Sequence, residues 1–309
     1  MNLWHIKKDN TAMIFAIFFA IFTGVLMMVT GVVSSMAAKR SLNLSFILGL
    51  SSVFLAIICF ILLKGQLVNV FWVNFFVFAA GAGNFITFLL IELSMRTGNN
   101  GIVWALANSA LIFPFLTGIL IFGVEANLLM IIGAVLIVAG IITAGFSKNS
   151  GQKSQGMIWF FWALLSFFVG GATQSCANIP SYLDGVEQVT QFQKGFVMQL
   201  GMISAAVVTL PFNGILKLKW RFSDPVFRAN IGVTLLSTLA NGLLLCYFLY
   251  KSFDLLKEAG VGAIAYPLIS GTCISVFFLY SLILLREKMS LLGWFSFLLT
   301  LGGIVVITL

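Results

Sequence analysis

Amide and aromatic side chains recur inside long apolar segments of this 309-residue sequence. Ser166, Gly170, Gln174 and Asn178 follow one another at every fourth position, which places them along one face of a helix. Amides both donate and accept hydrogen bonds, and aromatic faces stack on rings or on the C–H surface of a sugar. These residue types predict a lining for a neutral or zwitterionic polar solute. The candidate binding residues are Asn84, Trp104, Asn108, Gln174, Asn178, Asn241, Tyr266 and Ser270.

The same residue types have a second use in lipid, where Asn, Ser and Gly hold neighbouring helices together. Both roles stay open for any single candidate. Asn84 and Asn241 are favoured as site residues because they recur 157 positions apart in a pattern that suggests an internal repeat.

Carboxylates are scarce: Glu92 is the one acid inside an apolar segment, and Arg96 follows it one helical turn later. This spacing predicts an ion pair, and the simpler interpretation is a structural salt bridge at the membrane interface. The alternative is a proton-coupling carboxylate tuned by burial and by Arg96. A third option is an ion such as Na⁺ held by backbone carbonyls where a helix is interrupted, for instance near Pro267. No metal site and no other cofactor is expected.

The elements that must carry these residues are transmembrane helices. The chain is 61% hydrophobic and 8% charged, with a mean hydropathy of +1.10, whereas soluble domains are about 25% charged. Its apolar runs of about 20 residues match a hydrocarbon core of about 30 Å, in which only helices satisfy their own backbone groups. We predict an all-α integral membrane protein with ten transmembrane helices. The predicted spans are 11–37, 43–63, 69–95, 101–123, 126–146, 157–179, 192–214, 227–250, 260–284 and 289–309.

A polar linker at 147–156 divides the chain into two units of five spans, residues 1–146 and 157–309. Glu125 precedes Gly140 by 15 residues in the first unit, and Glu287 precedes Gly302 by 15 in the second. Thr30 corresponds loosely to Thr173. An odd number of spans per unit inverts the second unit in the membrane, and inverted repeats are typical of secondary transporters.

At these positions the sequence resembles the EamA-type repeat of the drug/metabolite transporter superfamily. The residues that carry the resemblance are Gly98, Pro114, Gly123-Val124-Glu125, Gly133 and Gly140 in the segment 84–144, and Gly260-Val261-Gly262, Glu287 and Gly302 in the second copy. The segment 83–98 is also similar to the rhamnose–proton symporter branch. Two features depart from the pattern: Arg286-Glu287 replaces Gly-Glu, and Pro267 sits earlier in its span than Pro114 does. The resemblance implies a ten-helix carrier with a central cavity lined by both units.

The expected function is therefore transport of a small polar metabolite by alternating access, with a sugar-like solute favoured. Export of amino acids or drug-like compounds is the alternative, and a non-transporting structural or receptor protein is the alternative of another class. An enzyme is not expected, because the sole histidine, His5, lies outside the spans and no HExxH or GxSxG motif occurs. The four cysteines (Cys59, Cys176, Cys246 and Cys273) form no CxxC pair and are interpreted as buried structural thiols.

The expected partners are the lipid bilayer, a small-molecule substrate and a coupling proton or sodium ion, in a monomer or homodimer of the cell (inner) membrane. The net charge of +8 lies at span ends, where it meets anionic head groups, so nucleic acid is not expected. Six Lys and Arg lie on the side of the termini and 11 on the other side, which favours termini outside. The family resemblance implies termini inside.

Overall fold

The computed structural model of the chain describes residues 3–40, 44–123, 127–146, 158–212, 225–258 and 265–308. These residues form helices joined by short connections, and no strand occurs among them. The predicted linker at 147–156 lies outside the described residues. The α-helices, in chain order, are α1 Leu3–Arg40, α2 Leu44–Leu62, α3 Phe71–Met95, α4 Asn100–Asn108, α5 Ile112–Leu120, α6 Leu128–Phe146, α7 Ile158–Asn178, α8 Gln191–Thr209, α9 Pro225–Glu258, α10 Ala265–Ile283 and α11 Leu291–Thr308.

Six of the described helical segments are long and apolar enough to cross a membrane, and four shorter ones are also apolar. Large apolar side chains also cover the outside of the bundle, with Leu291 exposed by 87%, Leu120 by 77% and Leu128 by 72%. Apolar exposure on this scale is normal in lipid and rare in water. The chain is a multi-pass membrane protein, as its composition indicates.

The fourth predicted span is not one continuous helix. A 3₁₀ turn, Ser109–Leu111, separates α4 from α5. Pro114 explains the break, because it has no N–H to give to the carbonyl of Ala110 and its ring crowds that carbonyl. Side chains compensate nearby: the Asn108 amide donates to the Trp104 carbonyl at 2.9 Å, and the Ser109 hydroxyl donates to the Ala105 carbonyl at 2.7 Å.

Glu287, in the loop between α10 and α11, caps the start of α4. Its carboxylate accepts hydrogen bonds from the Asn100 amide, from the Gly101 backbone N–H at 3.4 Å and from the Ser281 hydroxyl at 2.7 Å. A carboxylate is favoured there because the first N–H groups of a helix lack intrahelical partners. This contact joins the first half of the chain to the second.

Several pairs of neighbouring helices are antiparallel, as their contacts indicate. On α1 and α9, Thr30 meets Asn241 and Phe19 meets Phe248, so these helices are antiparallel. On α3 and α7, Gly83 meets Thr173 and Ser94 meets Trp159, which is again antiparallel. α2 with α8, α4 with α10 and α6 with α11 also pack antiparallel.

Glycines allow the closest of these approaches. A Cβ atom at Gly81 would lie 1.9 Å from the Met198 carbonyl oxygen, and one at Gly201 would lie 2.1 Å from the Phe78 carbonyl oxygen. α6 and α11 meet in the same reciprocal way. There, a Cβ at Gly140 would lie 3.0 Å from the Ser296 carbonyl oxygen, and one at Gly303 would lie 2.6 Å from the Gly133 carbonyl oxygen. Small residues at such crossings are a common way to pack helices in lipid.

The adjacent glycines Gly302 and Gly303 provide a matched test of this packing. A Cβ at Gly303 would press on the α6 backbone, whereas no atom of a neighbouring element lies within 4 Å of a Cβ at Gly302. We expect Gly303→Ala to lower the free energy of unfolding by about 1–3 kcal/mol. Gly302→Ala should leave it unchanged or raise it by up to about 1 kcal/mol. Thermal unfolding of the two variants in detergent checks this, and equal unfolding temperatures would contradict the packing.

Candidate functional site

A cavity of about 180 Å³ lies between the helices, and α1, α2, α3, α4, α7, α8, α9 and α10 all contribute to its wall. The wall is mostly apolar, with amide, hydroxyl and sulfur groups interspersed. None of the described residues that line it carries a charge. It therefore offers short-range hydrogen bonding without a fixed ion.

Six of the eight candidate binding residues line this one cavity: Asn84, Trp104, Asn108, Gln174, Asn241 and Ser270. Asn178, the last residue of α7, is half-buried and is not part of the lining. The side chain of Tyr266 lies outside the described residues. Side chains that are up to 186 residues apart in sequence are thus brought to one place.

The nitrogen and the oxygen of the Asn241 side-chain amide have different surroundings. Its amide nitrogen donates to the Thr30 hydroxyl at 3.2 Å, which joins α9 to α1, while its side-chain oxygen has no partner although the residue is only 8% exposed. A buried acceptor without a donor costs about 1–3 kcal/mol. Both roles expected of this residue, helix contact and solute contact, are compatible with this geometry.

Trp104 contributes less aromatic surface than its residue type suggests. Its indole N–H donates to the Cys273 sulfur at 3.3 Å, and its ring packs 5.1 Å from the ring of Phe277. A Cβ at Gly31 would lie 2.8 Å from the same indole. Only 2% of the Trp104 surface is exposed. The residue therefore forms part of the cavity wall, but its ring face is not free to stack on a solute.

Gln199 and Tyr250 also line the cavity and were not among the predicted binding residues. The Gln199 amide nitrogen donates to the Cys246 sulfur at 3.6 Å, and its side-chain oxygen has no partner although only 5% of the residue is exposed. Gln199 carried the same signal as the other candidates, an amide within an apolar helix. Tyr250 carried none, because tyrosine near a lysine at a span end is typical of a membrane interface.

Glu92 is fully buried near the end of α3 and forms an ion pair with Arg96, with 2.6 Å between carboxylate oxygen and guanidinium nitrogen. It does not line the cavity, although its neighbour Ile91 does. Pro267 lies at the third position of α10, which continues unbroken to Ile283. The helix interruption among the described residues near the cavity is therefore the turn at Ser109–Leu111.

The part of the chain that the structure describes has no cluster of three or more His, Cys, Asp or Glu side chains placed to hold a metal ion. The polar groups of the cavity wall are amides, hydroxyls and sulfurs.

No family model matches the chain, and no curated protein matches it. Among solved structures, one described as "Crystal structure of protein" is similar, with a TM-score of 0.52 and 12% sequence identity. The similarity covers 93% of this chain and 95% of that one. At this identity the likeness concerns the fold alone, and it extends over nearly the whole length of both chains.

Asn241 and Leu244 on α9 allow a test of which helix face meets water. Asn241 lines the cavity, whereas Leu244 is 42% exposed on the bundle and is not part of the lining. In a variant without native cysteines, we expect Asn241→Cys to react with a small hydrophilic methanethiosulfonate at least ~10-fold faster than Leu244→Cys, because the reactive thiolate requires a wet, polar environment. The reaction is measured by mass spectrometry on membranes. Equal rates would argue against a water-filled cavity.

Proposed function

We propose that the chain is a secondary transporter of ten spans, built as two inverted five-helix repeats around this cavity. The observation that carries the proposal is a small uncharged cavity in the middle of a membrane bundle, walled by helices from both halves of the chain. Such a site at the interface between two repeats suits alternating access. The EamA-type resemblance and a location in the cell membrane remain parts of this proposal.

The helix contacts support the repeat. A twofold axis relating the two halves would superpose α1 on α7, α2 on α8, α3 on α9, α4–α5 on α10 and α6 on α11, and the reverse. The pair α1–α9 then becomes α7–α3, α1–α10 becomes α7–α4, and α3–α8 becomes α9–α2, and each of these pairs is in contact. The pairs α2–α8, α4–α10 and α6–α11 exchange with themselves. Contact between antiparallel partners that exchange in this way is what a twofold axis in the membrane plane requires.

Positions along the chain support the same exchange. Leu120 and Ile283 end helices, Gly123 and Arg286 have positive φ angles of 66° and 53°, and Leu128 and Leu291 begin helices. Each pair is separated by 163 residues, as are Gly140 and Gly303 at the α6–α11 crossing. The register of this pairing therefore pairs Gly140 with Gly303 and not with Gly302. Arg286 holds the left-handed conformation that glycine holds in the first half.

The lining favours a small neutral or zwitterionic solute that donates hydrogen bonds. Asn241 and Gln199 each present a buried side-chain oxygen without a donor. A hydroxyl or an ammonium group would supply that donor, which fits a sugar-like solute first and an amino acid second. A volume of about 180 Å³ is below the ~300–1,000 Å³ of sites for drug-sized ligands, which argues against a drug-like substrate. A purely structural protein would not require such a pocket.

Transport by reconstituted protein tests the proposal directly. Proteoliposomes loaded with unlabelled solute should accelerate uptake of the same labelled solute, and the rate should saturate. Asn84→Ala and Asn241→Ala should each raise the half-saturating concentration ~10-fold, which is the effect of losing one hydrogen bond. Leu244→Ala, on the outer side of α9, is the control and should behave as wild type. Counterflow that is absent for sugars and amino acids alike, or unaffected by either asparagine variant, would count against this site.

Substitution of Glu92 distinguishes a structural role of this carboxylate from a role in proton coupling. Because it is buried, paired with Arg96 and outside the lining, we expect Glu92→Gln to lower the free energy of unfolding by about 1.5–3 kcal/mol, since it removes a charged hydrogen bond. Uptake driven by a pH gradient should persist in this variant. Adding Arg96→Gln should recover part of the loss, because no unpaired charge then remains. A stable Glu92→Gln protein that exchanges solute but no longer responds to the gradient would identify Glu92 as the coupling residue.

A further inference from the structure

Two thiols from different halves of the chain lie close together beside the cavity. Cys59 on α2 is fully buried, and Cys246 on α9 is 5% exposed and lines the cavity. Both are free thiols. Residue 195 on α8 is glycine, and a Cβ there would lie 3.2 Å from the Cys246 sulfur and 3.4 Å from the Cys59 sulfur. Three helices therefore converge on this thiol pair.

Further soft donors line the same cavity. Met198 and Met202 line the same cavity, and their sulfurs accept only the weak hydrogen bonds of the Tyr250 hydroxyl at 3.7 Å and the Ser52 hydroxyl at 3.6 Å. The Gln199 amide contacts the Cys246 sulfur, and its own buried oxygen has no partner. Thiolates and thioethers are the ligands that soft metal ions prefer. The wall thus combines soft ligands with an unfilled polar position.

The charge of the cation determines which soft metal ion the two thiols can hold. The described lining has no charged side chain, and an uncompensated charge is costly in an apolar interior. Two thiolates and one divalent cation form a neutral unit, whereas a monovalent cation would leave a net negative charge. A hard cation such as Mg²⁺ is disfavoured because the described lining offers it no carboxylate.

We propose that Cys59 and Cys246 form a dithiol site for a soft divalent cation, the class that includes Cd²⁺ and Hg²⁺. The ion enters through the cavity. Each thiol loses its proton to water, two sulfur–metal bonds form, and no electron is transferred. The bound ion bridges α2 and α9, so it both occupies the wall and ties the two halves of the chain together.

Cadmium binding to the purified full chain tests the site without any transport assay. We expect one Cd²⁺ per chain, a thiolate-to-metal charge-transfer absorption in the ultraviolet, and a higher unfolding temperature, while Mg²⁺ should give none of these. Cys59→Ser and Cys246→Ser should each weaken binding by more than the ~10–100-fold that loss of an outer-shell partner costs. Cys176→Ser and Cys273→Ser, the two other cysteines, are matched controls and should bind as wild type.

The wild-type absorption decides the matter even if a serine variant does not fold. A wild-type protein without the charge-transfer band, or a band that survives in both Cys59→Ser and Cys246→Ser, overturns the site. Inhibition of uptake by Cd²⁺ with recovery in EDTA rests in addition on the proposed transport function. If Cd²⁺ binds while solute exchange continues unchanged, the dithiol site is supported and its bridging of α2 and α9 is overturned. The metal site and the transport function can therefore fail independently.

Discussion

Close contact between helix backbones is the constraint on which the rest of this molecule depends. At the α3–α8 crossing, Gly81 and Gly201 each leave room for a carbonyl oxygen of the other helix, and a single Cβ at either position would overlap it. Lipid provides no hydrophobic drive between helices, so such close packing must supply the association. It also fixes the rotation of both helices. Because the glycine faces of α3 and α8 point at each other, other faces of these helices meet the cavity. Asn84 on α3 and Gln199 on α8 lie near this crossing on such faces.

The cavity is the consequence of where this close packing stops. Around it the wall retains polar groups that satisfy only part of their hydrogen-bonding capacity: Asn241 donates to Thr30, Gln199 donates to Cys246, and the acceptor of each amide has no partner. Two such acceptors cost about 2–6 kcal/mol together if nothing fills them. A structural helix contact would be expected to use both arms of each amide. Half-used amides at a shared cavity are more easily explained by a solute that supplies the missing donors.

The sequence predicts the helices well, because apolar runs bounded by charges leave the backbone in lipid no alternative to the helix. It also predicts six lining residues, because amides are costly in lipid and turn inward. It does not predict which inward face reaches the cavity: Asn178 follows the same stripe as Gln174, but at that turn of α7 the residue that lines the cavity is Ala177. Cys59 and Cys246, which both approach Gly195, are 187 positions apart in sequence. Two buried cysteines in separate apolar runs carry no sign that they meet.

The two halves share their helix pairings but not the chemistry of their walls. The first half contributes the broken α4–α5 span, whose Asn108 amide is bound to its own helix, whereas α10 is unbroken from Ala265 to Ile283. The second half contributes both unpartnered amide oxygens that we assign to the solute, on α8 and α9. In the proposed carrier, the twofold exchange concerns the scaffold, and the two amide oxygens assigned to the solute, on α8 and α9, are not exchanged with each other.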